Sequence, residues 1–230
     1  MKYYSHYVWE SGSVERQNPV SVVLQQVKLR KGSCLLVCIC DGTESGENAC
    51  LVSGYLTERL VEWFHHKYIP TLQKKTQDRS ASQVLGEELK KIEEELEEYG
   101  RQKGTVPKYD VLGMAVWDSE YCCFLKGKCK GYLFNRRFNK KQMRNLKTLV
   151  YQGEEEHRIQ LAQGSMQKGV GILLCSPLFD SNISGEEMLE VLWEEHLEDG
   201  DIQKRLGELW KENKKRGETG HAGAVFFRTE

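Results

Sequence analysis

The chain lacks the marks of several large protein classes. It has four prolines in 230 residues and no low-complexity stretch, which argues against collagen-like, linker-rich and repeat architectures. No run approaches the roughly 20 apolar residues of a membrane-spanning helix. The N-terminal "MKYYSHYVWESGS" places polar and charged residues where a signal peptide needs an unbroken apolar segment, so the expected compartment is the cytoplasm. Charge of one sign is missing too. With 33 Lys/Arg against 34 Asp/Glu the net charge is -1, so no global field draws the chain to nucleic acid or a membrane surface. There is no Cys-x-x-Cys spacing, no Gly-x-Ser-x-Gly elbow and no Gly-rich loop followed by Lys, which leaves structural zinc, serine-hydrolase and nucleotide-binding readings without local support.

What is present is an ordinary globular composition, 39% hydrophobic, long enough for one sizeable core over residues 1–230. "VSVVLQQVKL" (20–29) and "SCLLVCIC" (33–40) are β-branched and apolar, and Arg30, Lys31 and Gly32 between them predict a hairpin. Cys34, Cys38 and Cys40 share one face at period two and read, with the other five cysteines, as reduced core residues. From Glu47, Tyr55, Leu56, Leu60, Trp63 and Phe64 recur at helical spacing, which predicts a helix to about Ile69 before Pro70; His65-His66 then favour its C-terminal dipole. A second helix over 80–100 carries the stripe Leu85, Leu89, Ile92, Leu96 and Tyr99, an expected Glu87–Lys91 pair, a solvated glutamate run at 93–98 and Gly100 as its stop.

Strand patterns return in "VLGMAVW", "YCCFLK", "GYLF", "HRIQLA" and "GVGILLC", joined by short turns as a meander. Two helices follow, one with Met188, Leu189, Leu192 and His196 and one with Ile202, Leu206, Leu209 and Trp210, before a last strand "GAVFFR". Strands in sequence through short turns pair antiparallel, and helix pairs with one apolar face must lie on them. The expected fold is therefore α+β, a four-layer α/β/β/α sandwich of two antiparallel sheets flanked by helix pairs.

Six stretches in this order resemble the metal-dependent serine/threonine protein phosphatases of the PPM or type 2C family. "GSVERQN" resembles the opening G-x-x-R-x-x-N-E-D, "CDGTESGENA" the C-D-G-x-G-G loop ending in G-E-x-A, and Gly104-Thr105 the G-T-T. "GKCKGYL" is similar to G-D-S-R-x-Y, "LLCSPLFDSNISGEEM" to L-L-C-S-D-G-L with the acidic helix start, and "TGHAGAVFFR" to the closing G-D-N-x-T-x-x-x-x-R. The resemblance implies two divalent metals held by aspartates and one backbone carbonyl, which generate a hydroxide for in-line attack on a phosphoserine or phosphothreonine.

Carried over position by position, the resemblance leaves Asp41 as the shared ligand and Gly42 as the carbonyl ligand. The opening acid pair falls on Pro19 and Val20, and the phosphate-binding arginine on Glu15, with Arg16 one place on. The aspartate of C-S-D-G falls on Pro177, that of G-D-N on His221, and that of G-D-S-R on Lys128. Asp180, Glu44 and His221 are the candidates for replacement ligands. One matched carboxylate holds too little charge for two adjacent dications. The expectation is a catalytically degenerate, pseudophosphatase-like module with no catalytic residue assigned, at most one weakly bound Mg²⁺ or Mn²⁺, and a binding or regulatory role in Ser/Thr phosphorylation signalling. The alternative is an active Mg/Mn-dependent phosphatase with an altered site.

One further feature is electrostatic. Residues 126–147 hold nine Lys/Arg and no acid, interleaved with Tyr132, Phe134 and Phe138. The run reads either as a solvated surface balanced by acid-rich 87–98 and 153–156, or as a surface for a protein partner, phosphorylated or acidic, with Arg16, Lys128, Lys130, Arg136 and Arg137 as phosphate or partner contacts. Nucleic acid is the weaker reading, because the basic excess is local.

Overall fold

The computed structural model describes residues 2–12, 17–30, 32–73, 81–137, 140–146, 159–193 and 199–230. Two five-stranded antiparallel sheets form its centre. One runs in the order β1 (Tyr3–Glu10), β10 (Ala222–Thr229), β9 (Gly171–Cys175), β6 (Lys130–Arg137) and β7 (Lys140–Asn145). The other runs β2 (Val20–Leu29), β3 (Gly32–Asp41), β4 (Asp110–Trp117), β5 (Glu120–Lys126) and β8 (Gln160–Ser165). Helices α1 (Ala49–Trp63), α2 (Ile69–Gln73) and α3 (Ala81–Lys103) belong to the second sheet's outer side; α4 (Gly185–Leu192) and α5 (Asp199–Lys215) to the first's.

The period-two alternation of β3 divides the layers. Leu35, Val37 and Ile39 point between the sheets and meet Ile172, Leu174, Val225 and Phe227. Cys34, Leu36, Cys38 and Cys40 point the other way, into a cluster with Leu56, Leu60, Leu89 and Ile92 of α1 and α3. A third cluster joins Phe134, Leu173 and Phe226 to Leu192, Leu206 and Trp210 of α4 and α5. Three apolar interfaces between four layers give the expected α/β/β/α sandwich. All eight cysteines are free, and all but Cys50 are buried. Burial is also what pushes the Cys38 and Cys123 thiols upward, so they act as small apolar core residues.

Several boundaries differ from the sequence reading. Pro70 does not end the first helix: a π turn over Phe64–Tyr68 intervenes, the N–H of Ile69 reaches back to the carbonyl of Phe64, and the chain continues into α2 through Pro70. The wider turn accommodates a ring that a regular α-turn would exclude. His65 and His66 therefore lie inside a helical run and not at its end. Gly100 lies within α3, facing Pro107 closely, and the helix stops at Gly104, whose φ of 67° is left-handed. Lys91 pairs with Glu95 rather than Glu87. Strands β1 and β7 escaped the sequence reading, and β8 begins three residues later than "HRIQLA". His196 lies outside the described residues.

The ring of Phe124 on β5 lies across Gly113 on β4, where a Cβ would stand 2.1 Å from Phe124 Cζ. Gly113→Val should therefore destabilise the fold by about 1–3 kcal/mol through overpacking. The expected readout is a lower urea midpoint with an unchanged m-value.

Candidate functional site at the Asp41 end

The antiparallel registers gather particular strand ends at one end of the sandwich. Asp41 closes β3 and lies opposite Val20 at the start of β2 and Asp110 at the start of β4. In the other sheet Lys130, opening β6, pairs with Cys175, closing β9. The Cys129 thiol, donating to the carbonyl of Ile39 at 4.0 Å, joins the two sheets there. The turns beyond these ends supply Gly42 and Glu44 after β3, Lys128 after β5 and Asp180 after β9.

Asp41 is buried. Its Oδ1 accepts hydrogen bonds from the N–H and the hydroxyl of Thr43, the local turn expected of an aspartate at a strand end. The following glycine answers a different need from the one its sequence position suggests. Gly42 has an ordinary negative φ of -95°, but a Cβ there would stand 2.2 Å from the carbonyl oxygen of Ala49. Close backbone approach, and not left-handed geometry, fixes glycine at this position.

Each candidate replacement ligand has a partner of its own. The Asp180 carboxylate is buried; Lys130 Nζ donates to it at 2.8 Å, and the Tyr132 hydroxyl donates to its other oxygen. Burial and this bond together push the Tyr132 hydroxyl's pKa upward. Glu44 accepts from Lys128, which holds its carboxyl below the usual range. Nδ1 of His221 accepts the N–H of Gly12 at 3.0 Å and so ties the end of β1 to the start of β10. Lys126, the first cation of the basic run, donates to Glu93 at 2.7 Å and lies over the Tyr109 ring. The acid-rich helix balances the run at this point. Arg16 lies outside the described residues. Arg136 and Arg137 belong to β6, and their side chains also fall outside the description.

Sequence reasoning missed Asp110. It sits one residue before an apolar strand, the mirror image of Asp41 one residue after one, and this placement is the only signal the sequence offers. Its Oδ1 fills the space that a side chain on Gly127 would need, with φ of 78° at that glycine. Burial raises its pKa, a backbone hydrogen bond from Lys128 lowers it, and the charges of Asp41 and Glu44 raise it again.

Against known proteins, no family model matches the chain and no curated protein matches it in sequence. Solved structures do match. PppA of Pseudomonas aeruginosa, described as a key regulatory component of T6SS, is 16% identical over 100% of this chain and 99% of its own, with a TM-score of 0.68. The S. agalactiae serine/threonine phosphatase is 12% identical over all of both chains, with a TM-score of 0.71. The catalytic domain of the phosphatase PstP in complex with two manganese ions is 18% identical, covering 98% of this chain and 97% of that one, with a TM-score of 0.66. The chain has the fold of the metal-dependent serine/threonine phosphatases.

The residues at this end do not fit a pair of dications. Among the described residues no group of three or more His, Cys, Asp and Glu is arranged to hold a metal ion. Asp41, Glu44, Asp110 and Asp180 bring four negative charges, and Lys128 and Lys130 cancel two of them. Two dications about 4 Å apart repel by about 16 kcal/mol at an effective dielectric of about 20. Two uncancelled carboxylates, one of them with a raised pKa, are a weak counterweight.

The raised pKa of Asp110 has a definite sign in stability. Between its unfolded value of about 3.9 and its higher folded value the native state binds more protons, so stability falls as pH rises through that window. Above the window the cost is fully present. Asp110→Asn retains an acceptor for the Lys128 N–H without the charge. Its stability relative to wild type, from urea midpoints between pH 3.5 and 7, should therefore grow with pH.

Proposed function

We propose that this chain is a phosphatase-fold protein in which lysine ammonium groups have taken over the charge role of a metal pair, and that it binds a protein partner in a serine/threonine phosphorylation circuit without hydrolysing phosphate. One observation carries the reading: the carboxylates that the sequence offers as replacement ligands, Asp180 and Glu44, are each held by a lysine, Lys130 at the start of β6 and Lys128 in the turn before it. An ammonium group neutralises an acid, but it does not activate water as a metal does. Asp41 with the Gly42 carbonyl then retains at most one weakly held Mg²⁺ or Mn²⁺. The regulatory part of the reading is supported by the fold shared with PppA. Arg16, Arg136 and Arg137 are the cations we assign, from the sequence alone, to a phosphorylated or acidic partner. We assign residues 1–230 to one domain in the cytoplasm. All eight cysteines are free thiols, as a reducing compartment keeps them, and no helix among the described residues is long and apolar enough to cross a membrane.

The second reading, an active Mg/Mn-dependent phosphatase, draws on Asp41 and Asp110 lying opposite each other in adjacent strands. p-Nitrophenyl phosphate with added manganese separates the two. The expected result is no turnover above that of Asp41→Ala, whereas manganese-dependent hydrolysis that disappears in that variant would establish the enzyme. If the lysines hold the metal's place, the double variant Lys128→Ala, Lys130→Ala should bind Mn²⁺ at least about tenfold more tightly than wild type in calorimetric titration, about 1.4 kcal/mol. An equal or weaker affinity would contradict the substitution of charge.

A further inference from the structure

The four edge strands of the two sheets are β1, β7, β2 and β8, and three of them carry protection against pairing. β7 reads KKQMRN, a basic edge; β8 has six residues, mostly polar. β1 has α5 beside it, and Gln203 Nε2 donates to the Tyr7 carbonyl. Strand β2 also has a helix, α1, packed against it, but among the described residues it has neither a basic edge, nor a short span, nor a side chain capping its outward carbonyls beyond Val20. It is ten residues long and pairs with β3 in uninterrupted register, so it has no bulge; it has no proline and no charge before Lys28. Long, flat, uncharged edges of this kind are templates for another strand.

The register shows which backbone groups face outward. The Gly42 N–H donates to the Pro19 carbonyl, so the opposed residues Val20 and Asp41 form a non-hydrogen-bonded pair, and the N–H and C=O of Val20 point away from β3. Both are occupied: Asn18 Oδ1 accepts from the Val20 N–H at 2.9 Å, and Trp9 Nε1 donates to the Val20 carbonyl at 2.6 Å. Period two then turns the same groups of Val22, Leu24, Gln26 and Lys28 outward. Among the described residues no backbone partner meets those of Val22, Leu24 and Gln26.

Val22 and Leu24 of this open ladder lie in the floor of a groove of 540 Å³, and Gln26 is the next outward position along the same edge. Tyr7 and Trp9, 51% and 53% exposed, form one wall, and Thr57 and Val61 of α1 the other. No Asp, Glu, Lys or Arg lines it, in a chain with 29% charged residues. We propose that this groove binds an extended, uncharged segment of a partner protein, which adds to β2 as a sixth strand through the outward groups of Val22, Leu24 and Gln26. Backbone pairing supplies the affinity. The aromatic wall on one side and α1 on the other select a single strand with small or apolar alternate side chains over a broad sheet. No carboxylate of the Asp41 end lines the groove, although the groove reaches Val20, opposite Asp41; strand pairing at Val22, Leu24 and Gln26 does not depend on whether that end hydrolyses phosphate.

The test selects a phage-displayed library of random uncharged twelve-residue peptides on the immobilised full chain, then measures the enriched peptides by fluorescence anisotropy. Two variants change exposed side chains only. Gln26→Pro removes an outward N–H where an edge strand tolerates proline, and Tyr7→Glu places a charge on the wall. The expected result is peptides that bind at least tenfold more weakly to both variants and that protect the amides of Val22, Leu24 and Gln26 from hydrogen exchange. Circular dichroism of both variants should match wild type. Three outcomes overturn the proposal: a library that yields no binders, binders insensitive to both variants, or a concentration-dependent dimer in sedimentation that Gln26→Pro abolishes, which assigns the edge to a second copy of the chain.

Discussion

A carboxylate that leaves water must be neutralised, protonated or tied down by donors. The arrangement of the Asp41 end follows from that constraint. The sheet registers bring Asp41, Asp110 and Asp180 to one end of the sandwich whatever else is present, because they terminate strands or follow them directly. Metal ions meet the constraint with double charges and demand a nearly complete acidic shell. Lysines meet it one acid at a time, and each brings a stem long enough to reach from the neighbouring strand or turn. Lys130 opens the strand beside the one that leads to Asp180, so the pair is a product of sheet topology as much as of side-chain choice. Asp110 is answered by the third route, a backbone donor together with a pKa shifted toward the neutral form.

The apolar patterns of the core were legible because each reports a local geometry. Period two across "SCLLVCIC" assigns its residues to two different layers, and the stripe of Leu85, Leu89, Ile92 and Leu96 finds the face of α3 that meets that sheet. Strand β1 was not legible. "YYSHYVWE" has no clean alternation, since only Tyr3 and Val8 are buried, and its place is fixed by pairing with β10 more than 200 residues on. β7 has the composition of a solvated run, and its pairing with β6 makes it a strand. At the candidate site, the place of Asp41 in a strand-ending turn could be read from its sequence. The partners of Lys128 and Lys130 could not, because those carboxylates lie 84 and 50 residues away in sequence. Two cations that look available to a phosphate in the sequence are already paired in the fold.

The basic run and the uncharged groove also show why local charge is a poor guide to a binding surface. Lys126, Lys128 and Lys130 form the most conspicuous basic stretch, yet each faces a carboxylate within the chain. The β2 edge, with a single charge in ten residues, leaves a row of backbone groups without a backbone partner among the described residues. Charge draws attention because it stands out in a sequence. An unpaired strand edge is visible only once the sheet order is known, and its energetic consequence is at least as direct, since each outward N–H and C=O is a hydrogen bond that a partner strand can complete.

The division between core and site explains how a fold persists at 12–18% identity. The three apolar clusters fill the spaces between layers, and of the positions that the resemblance assigns to metal ligands only Val20 belongs to them. Those positions lie at strand ends and in turns. Pro177, His221 and Lys128 stand outside the inter-sheet packing of Leu35, Val37, Ile39, Ile172 and Val225. Residues there meet a local requirement: the backbone must fit, and any remaining acid must find a partner. Gly42 and Gly127 meet it by each admitting a close contact that a Cβ would block. Two-metal chemistry, by contrast, requires several acids together with their charges free, so it is more sensitive to substitution at these positions than the architecture is.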